Sequence, residues 1–162
     1  MNTMNRRDLC VALSSFAALA AAAAEGQTKL PDTMAVPAPP GSAAGDQVLD
    51  KPHAFRFSEL PVATTANGET RAVIRGVLPT GEAIEMHETT LLPGKMPHPP
   101  HQHKHSEFML IREGQMEFEN NGTPERAGPG GVFFAASNIL HGLKNVGDAP
   151  ANYFVIAIGR ES

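Results

Sequence analysis

The sequence predicts an all-β domain, a sandwich or barrel of short antiparallel strands, behind an N-terminal address segment. Three observations carry this. From about residue 53 onward, apolar or alternating stretches are separated by turn signals about every 8 to 12 residues. Glycine (15) and proline (14) are both abundant in a chain of 162 residues, which suits many strands and turns better than a helical bundle. Beyond the first 24 residues, no stretch of helical period reaches about ten residues.

Residues 1–24 have the layout of an export signal. Arg6 and Arg7 precede an apolar run from Val11 to Ala24 that closes on alanines Ala20 to Ala24. A charged start, an apolar stretch and a small-residue end form a cleavable signal peptide. The run is too short to span a bilayer comfortably, so no stable membrane insertion is expected after cleavage. The paired arginines resemble a twin-arginine leader, and the protein is expected to be exported, periplasmic or secreted. The single cysteine, Cys10, falls inside this leader. A mature chain would therefore form no disulfide, and any metal site would rest on histidine and carboxylate.

Residues 25–52 contain Pro31, Pro37, Pro39, Pro40 and Pro52 with few large apolar side chains. Such a stretch buries too little surface to offset its ordering entropy. It reads as an extended linker, with an arm onto a partner subunit as the rival reading. Residues 53–162 form the β domain. Strands are expected at 54–59, 70–78, 82–92, 98–103, 107–112, 115–120, 124–127, 131–135, 139–145 and 152–159. Asn67-Gly68 and Asn121-Gly122 signal two-residue hairpins, because both residue types adopt positive φ. Gln115, Glu117 and Glu119 alternate with Met116 and Phe118, as in a half-buried strand. Tyr153 to Ile158 is continuously apolar and is expected to be covered on both faces.

Composition narrows the function. With 13 Lys+Arg against 17 Asp+Glu the formal charge is −4, and no basic patch stands out, so nucleic acid is not the expected partner. No nucleophilic triad, phosphate loop or dinucleotide fingerprint is visible. What does stand out is histidine. His98, His101, His103 and His105 are crowded together, with Glu107 just after. Imidazole with carboxylate suits iron, manganese, nickel, copper or zinc. In one straight strand, His101 and Glu107 would lie about 20 Å apart, whereas donors on one ion lie only about 2 Å from it. The chain must therefore bend between His103 and Glu107. His105 then sits in the bend and misses the ion, and His98, among prolines, stands at the rim.

The stretch Gly94, His101, His103, Glu107, Gly114 closely resembles cupin motif 1, G-x5-H-x-H-x(3,4)-E-x6-G, with one extra residue between Gly94 and His101. Gly130, Ala136, Asn138, His141 and Asn145 resemble motif 2, G-x5-P-x-G-x2-H-x3-N, with Ala136 for proline and Asn138 for glycine. Asn138 can supply the left-handed turn that glycine would. The resemblance covers roughly residues 55–160. It implies an antiparallel jelly-roll barrel enclosing one divalent transition metal ion (Fe, Mn, Ni, Cu or Zn). It also implies the ligands: His101, His103 and Glu107 from motif 1 and His141 from motif 2. Asn145 would be a turn or supporting residue.

A metal with open positions supports dioxygenase chemistry or Lewis-acid lyase and isomerase chemistry. The expected function is an exported mononuclear metal-dependent enzyme acting on a small molecule, with dioxygenation slightly preferred. A non-catalytic module that captures a small ligand through the metal is the alternative, and a barrel whose metal only stabilises the fold is a third. Base candidates are His87, Glu117, Glu119 and Tyr153, each with a plain structural reading. Met86, Met96, Met109, Met116, Phe133 and Phe134 are candidates for an apolar pocket or simply for core. Cupin barrels often pair through their sheets, so a homodimer is expected.

Overall fold

A computed structural model describes residues 34–37 and 47–160, all within the compact unit Pro31–Ser162. The leader expected at 1–24 lies outside the described residues. The described chain begins its regular structure with a 3-10 turn at Phe57–Glu59, followed by β1 (Val62–Thr65), β2 (Gly68–Val77), β3 (Ala83–Leu91), β4 (Ser106–Glu113) and β5 (Met116–Asn120). Then come β6 (Thr123–Ala127), β7 (Val132–Ala135), β8 (His141–Asn145) and β9 (Ala151–Ile158). They form a six-stranded sheet ordered β1-β2-β3-β9-β4-β7 and a three-stranded sheet ordered β6-β5-β8. Every strand pair is antiparallel. This is the jelly-roll barrel that the sequence led us to expect. No helix among the described residues is long and apolar enough to cross a membrane.

The two sheets meet through the alternation written into their strands. In β5, Met116 and Phe118 point inward and Glu117 and Glu119 face away. Phe118 stacks on Phe133 of β7 at a ring separation of 5.1 Å, joining the sheets across the core with Met109, Ile111, Leu143 and Tyr153. β9 lies between β3 and β4. The burial on both faces expected for Tyr153 to Ile158 does not hold: only the start of the strand, Ala151 to Tyr153, is continuously buried. Beyond that it alternates, with Val155 and Ala157 inside and Phe154, Ile156 and Ile158 on the outer face.

Turn chemistry fixes the register. Asn120 pairs with Thr123, so Asn121 (φ 46°) and Gly122 (φ 86°) form the two-residue loop that the sequence signals. The first hairpin is offset from expectation. Thr65 pairs with Gly68, which makes Ala66-Asn67 the loop and puts Gly68 in the strand. Glycine is needed there for another reason: a Cβ would fall 2.0 Å from the Thr90 carbonyl oxygen.

Three strand expectations change. The 54–59 segment is not a strand and contains the 3-10 turn. The 98–103 segment forms only an isolated bridge, His101 with His141, because Pro99 and Pro100 have no N–H to donate to a ladder. β1 was not anticipated, being short and poor in large apolar residues. Two pieces of the 25–52 segment lie on the barrel: Met34 N–H donates to Pro97 O (2.9 Å), and Leu49 N–H to Val77 O (2.8 Å). Met34 is buried in the core cluster.

Candidate metal centre

Three chain segments converge at one end of the barrel. The approach to β4 carries His101 and His103, β4 carries Glu107, and β8 opens with His141. His101 and His141 exchange backbone hydrogen bonds, both 2.9 Å. The chain bends at Lys104 and His105 before β4 begins, where the sequence required a bend. His103 Nδ1 lies 2.8 Å from His105 O and closes that bend. Asn138 takes a left-handed conformation, φ 59°, in place of the expected glycine. Its N–H donates to His103 O at 2.7 Å, tying the two motif regions together.

Hydrogen bonding fixes which ring nitrogen is available. A carbonyl oxygen only accepts, so His103 Nδ1 is the protonated nitrogen and donates to His105 O. His141 Nδ1 likewise donates to Ile139 O at 2.8 Å. In the neutral rings Nε2 then carries a bare lone pair. Both Nε2 atoms are buried without a hydrogen-bond partner, and so is His101 Nδ1. Orphaned buried acceptors are rare, and three in one cluster fit a cation's ligand shell. One donor atom from each of His101, His103 and His141 lies within 4.8 Å of the others. This spread suits closure around one ion by small side-chain movements.

Glu107 adds the negative charge. Its carboxylate oxygens lie 3.3 Å from His103 Nε2 and 3.7 Å from His141 Nε2. Burial pushes its pKa up, but contacts with His141 and His105 and the fields of His103 and His105 outweigh this and hold it to about 2. His101 is held down to about 4 by burial, then by the imidazoles of His98, His141 and His103. Burial lowers His141 too, but Glu107 and the Ile139 carbonyl reverse this and raise it.

His105 behaves differently from a simple bystander. Its Nε2 lies 2.9 Å from Glu107, its ring stacks on His103 at 3.6 Å, and it forms a second close group with His103 and Glu107. It does not belong to the close group of His101, His103 and His141. His98 packs edge-on against His101 at 4.2 Å.

Two cavities meet at this centre. The inner one, about 90 Å³, is lined by Met34, Thr89, Glu107, His141 and Tyr153 among others. The outer one, about 480 Å³, includes Arg75, Glu85, His105 and Arg160 in its wall. Val36, His87, His98 and Glu107 line both. Of the base candidates, His87 and Tyr153 reach a cavity. Tyr153 is fully buried, which raises its pKa. Glu117 pairs with Arg126 instead, at 2.8 Å. Of the apolar-pocket candidates, Met109 alone lines either of these two cavities. Met116 and Phe133 are core, while Phe134 is exposed. Asn145 is fully buried and holds turns: it donates to Leu91 O and Ala149 O and accepts from Gly147 N–H. Sequence reasoning did not find Met34, Val36, Arg75 or Arg160.

Residues 87–157 match the family described as Cupin domain. No curated protein matches the chain. Among solved structures, an RmlC-like cupin from Shewanella frigidimarina aligns with a TM-score of 0.58 and 13% identity, covering 69% of this chain and 95% of its own. A predicted oxalate decarboxylase from Thermotoga maritima aligns at 0.55 and 20% identity, over 67% of this chain and 100% of its own. The polyketide cyclase RemF from Streptomyces resistomycificus aligns at 0.54 and 18%, over 68% and 81%. At these identities the likeness establishes the fold and leaves the chemistry to the site.

Proposed function

We propose that this protein, whose residues 87–157 match the cupin-domain family, is an exported metal-dependent enzyme acting on a small molecule. His101, His103, Glu107 and His141 are the proposed ligands of one divalent transition metal ion. The observation that carries the proposal is the convergence of three buried, unpartnered imidazole nitrogens beside a carboxylate held ionised. When bound, the metal would polarise a substrate oxygen or provide adjacent positions for substrate and dioxygen. The rest is done by the chain. The His105 and Ile139 carbonyls set the tautomers of His103 and His141. Glu107 supplies compensating negative charge. The two cavities beside Glu107 offer room for a small substrate.

Dioxygenation and lyase or isomerase chemistry both fit an open metal. One observation favours the second. His87 Nδ1 lies 3.1 and 3.0 Å from the two Glu85 carboxylate oxygens. Because a carboxylate accepts, Nδ1 donates and Nε2 is left as a base, on a ring that lines both cavities. A carboxylate-oriented imidazole is equipped to move a proton. A binding module without turnover is the rival reading. We further assign residues 1–24 to a twin-arginine-like leader, and the outer face of the six-stranded sheet to homodimer contact.

Elemental analysis of the purified protein tests the centre. About one iron, manganese, nickel, copper or zinc per chain is expected, and its loss in a His101→Ala/His141→Ala variant. Iron, copper or nickel directs assays to oxygen uptake, and zinc or manganese to lyase and isomerase substrates. A folded wild type that takes up no metal overturns the proposal.

A further inference from the structure

The outer cavity contains a feature that the metal centre does not use. β2 and β3 lose step at one point: Ala72 pairs with His87 and Ile74 with Met86, so Val73 is an extra residue. Paired residues on neighbouring strands point to the same side of the sheet. Thr70 and Ala72 therefore face inward with Thr89 and His87. Simple alternation would then send Arg75 outward. The bulge restores Arg75 to the inner side, opposite Glu85. A bulge disrupts its ladder locally, and re-aiming a side chain is a recurrent use of one beside a site.

Arg75 has nothing to hold there. Its neighbour Glu85 turns both carboxylate oxygens to His87 Nδ1. Other arginines are engaged: Arg71 with Glu69 and Glu88, Arg126 with Glu117, and Arg112 over the Phe154 ring. Among the described residues the Arg75 side chain forms no hydrogen bond or ion pair; it is exposed and lines the outer cavity. This cation is local, since the chain as a whole carries −4.

Register places it relative to the centre. Arg75, Glu85, Ala157 and Glu107 are successive partners across β2, β3, β9 and β4. Arg75 and Glu107 thus end one row, three strand spacings or about 14 Å apart at Cα. Ala157 between them is small and lines the outer cavity. Glu85, the other residue between them, turns its carboxylate to His87, and all four residues of the row line the outer cavity.

The geometry points to Arg75 as the specificity-determining anchor for a carboxylate on the substrate. The substrate class is a small organic acid with a second oxygen function directed at the Glu107 end of the row. A guanidinium offers a planar fork that matches a carboxylate with two parallel hydrogen bonds. The direction of the second function rests on the metal-centre reading; the carboxylate anchor does not.

Calorimetric titration of the metal-loaded full chain with malonate, succinate and the neutral analogue malonamide tests this. Malonate or succinate is expected to bind wild type, and malonamide far more weakly. Arg75→Gln should weaken dicarboxylate binding by about tenfold or more. Arg75→Lys should recover part of it, because charge returns without the fork. Metal content and melting temperature should match wild type in both variants. Equal dicarboxylate affinity for wild type and Arg75→Gln, or no binding of either dicarboxylate to wild type, overturns the anchor. A protein that takes up no metal but still shows the Arg75 dependence would overturn the metal centre alone.

Discussion

Burial among other imidazoles holds His101 near pH 4 instead of 6.5, so the metal-free fold demands a neutral ring. The unfolded chain binds this proton first as pH falls. Stability from this residue is therefore intact above about 6.5 and is lost progressively toward 4. Glu107 acts in a lower window: its depressed pKa contributes stability above about 4.5, lost as pH falls toward 2. Melting temperature of metal-free protein should fall between pH 7 and 4, and His101→Gln should flatten the upper part of that fall. An unchanged pH profile in the variant would show that His101 stays neutral for no cost. Asn138 is a second residue-scale test. At φ 59°, Asn138→Ala should cost about 1 kcal/mol, measured by denaturant unfolding, whereas Asn138→Gly should be close to neutral.

At the scale of elements, the proposed ligand positions were legible because two short motifs carry them, His101, His103 and Glu107 in the first and His141 in the second. His101 and His103 are two apart, Glu107 follows after a bend, and His141 opens a strand hydrogen-bonded back to His101. The Asn121-Gly122 turn was legible for the same reason. What escaped depends on contacts between distant segments. Nothing local marks Val73 as an extra residue in β2, so the direction of Arg75 could not be read. Met34 and Val36 sit in a Pro- and Ala-rich stretch and gain their role only where the chain meets Pro97 and the cavity. Met34 is 9% exposed within the core cluster. Met34→Ala should destabilise by about 2 kcal/mol, the low end for a buried methionine. A denaturant midpoint equal to wild type would show that this segment does not pack on the barrel in solution.

At the scale of the whole molecule, the outer face of the six-stranded sheet carries a cluster of exposed apolar side chains among the described residues. Met86, Ile156, Phe108 and Phe134 are successive cross-strand partners, and Phe154, Leu110 and Val132 form the next row. Phe108 and Phe134 touch at 4.8 Å between ring centroids yet remain 38% and 51% exposed, and Val132 is 55% exposed. Contiguous apolar patches beyond a few hundred Å² mark interaction sites. A second copy is the simplest partner, because a two-fold axis through the sheet lays each row on its own image, and aligned sheet faces pack well. The proposed metal centre faces the opposite, inner side of β4, where Glu107 lies, so pairing and metal uptake are separable. Sedimentation of wild type at about 10 μM, a concentration at which a stable interface holds, should show a dimer. Phe108→Glu/Phe134→Glu should shift it to monomer with metal content unchanged. A monomeric wild type would overturn the pairing and leave this face to a different partner, while loss of metal in the variant would show that the two sides of β4 are coupled.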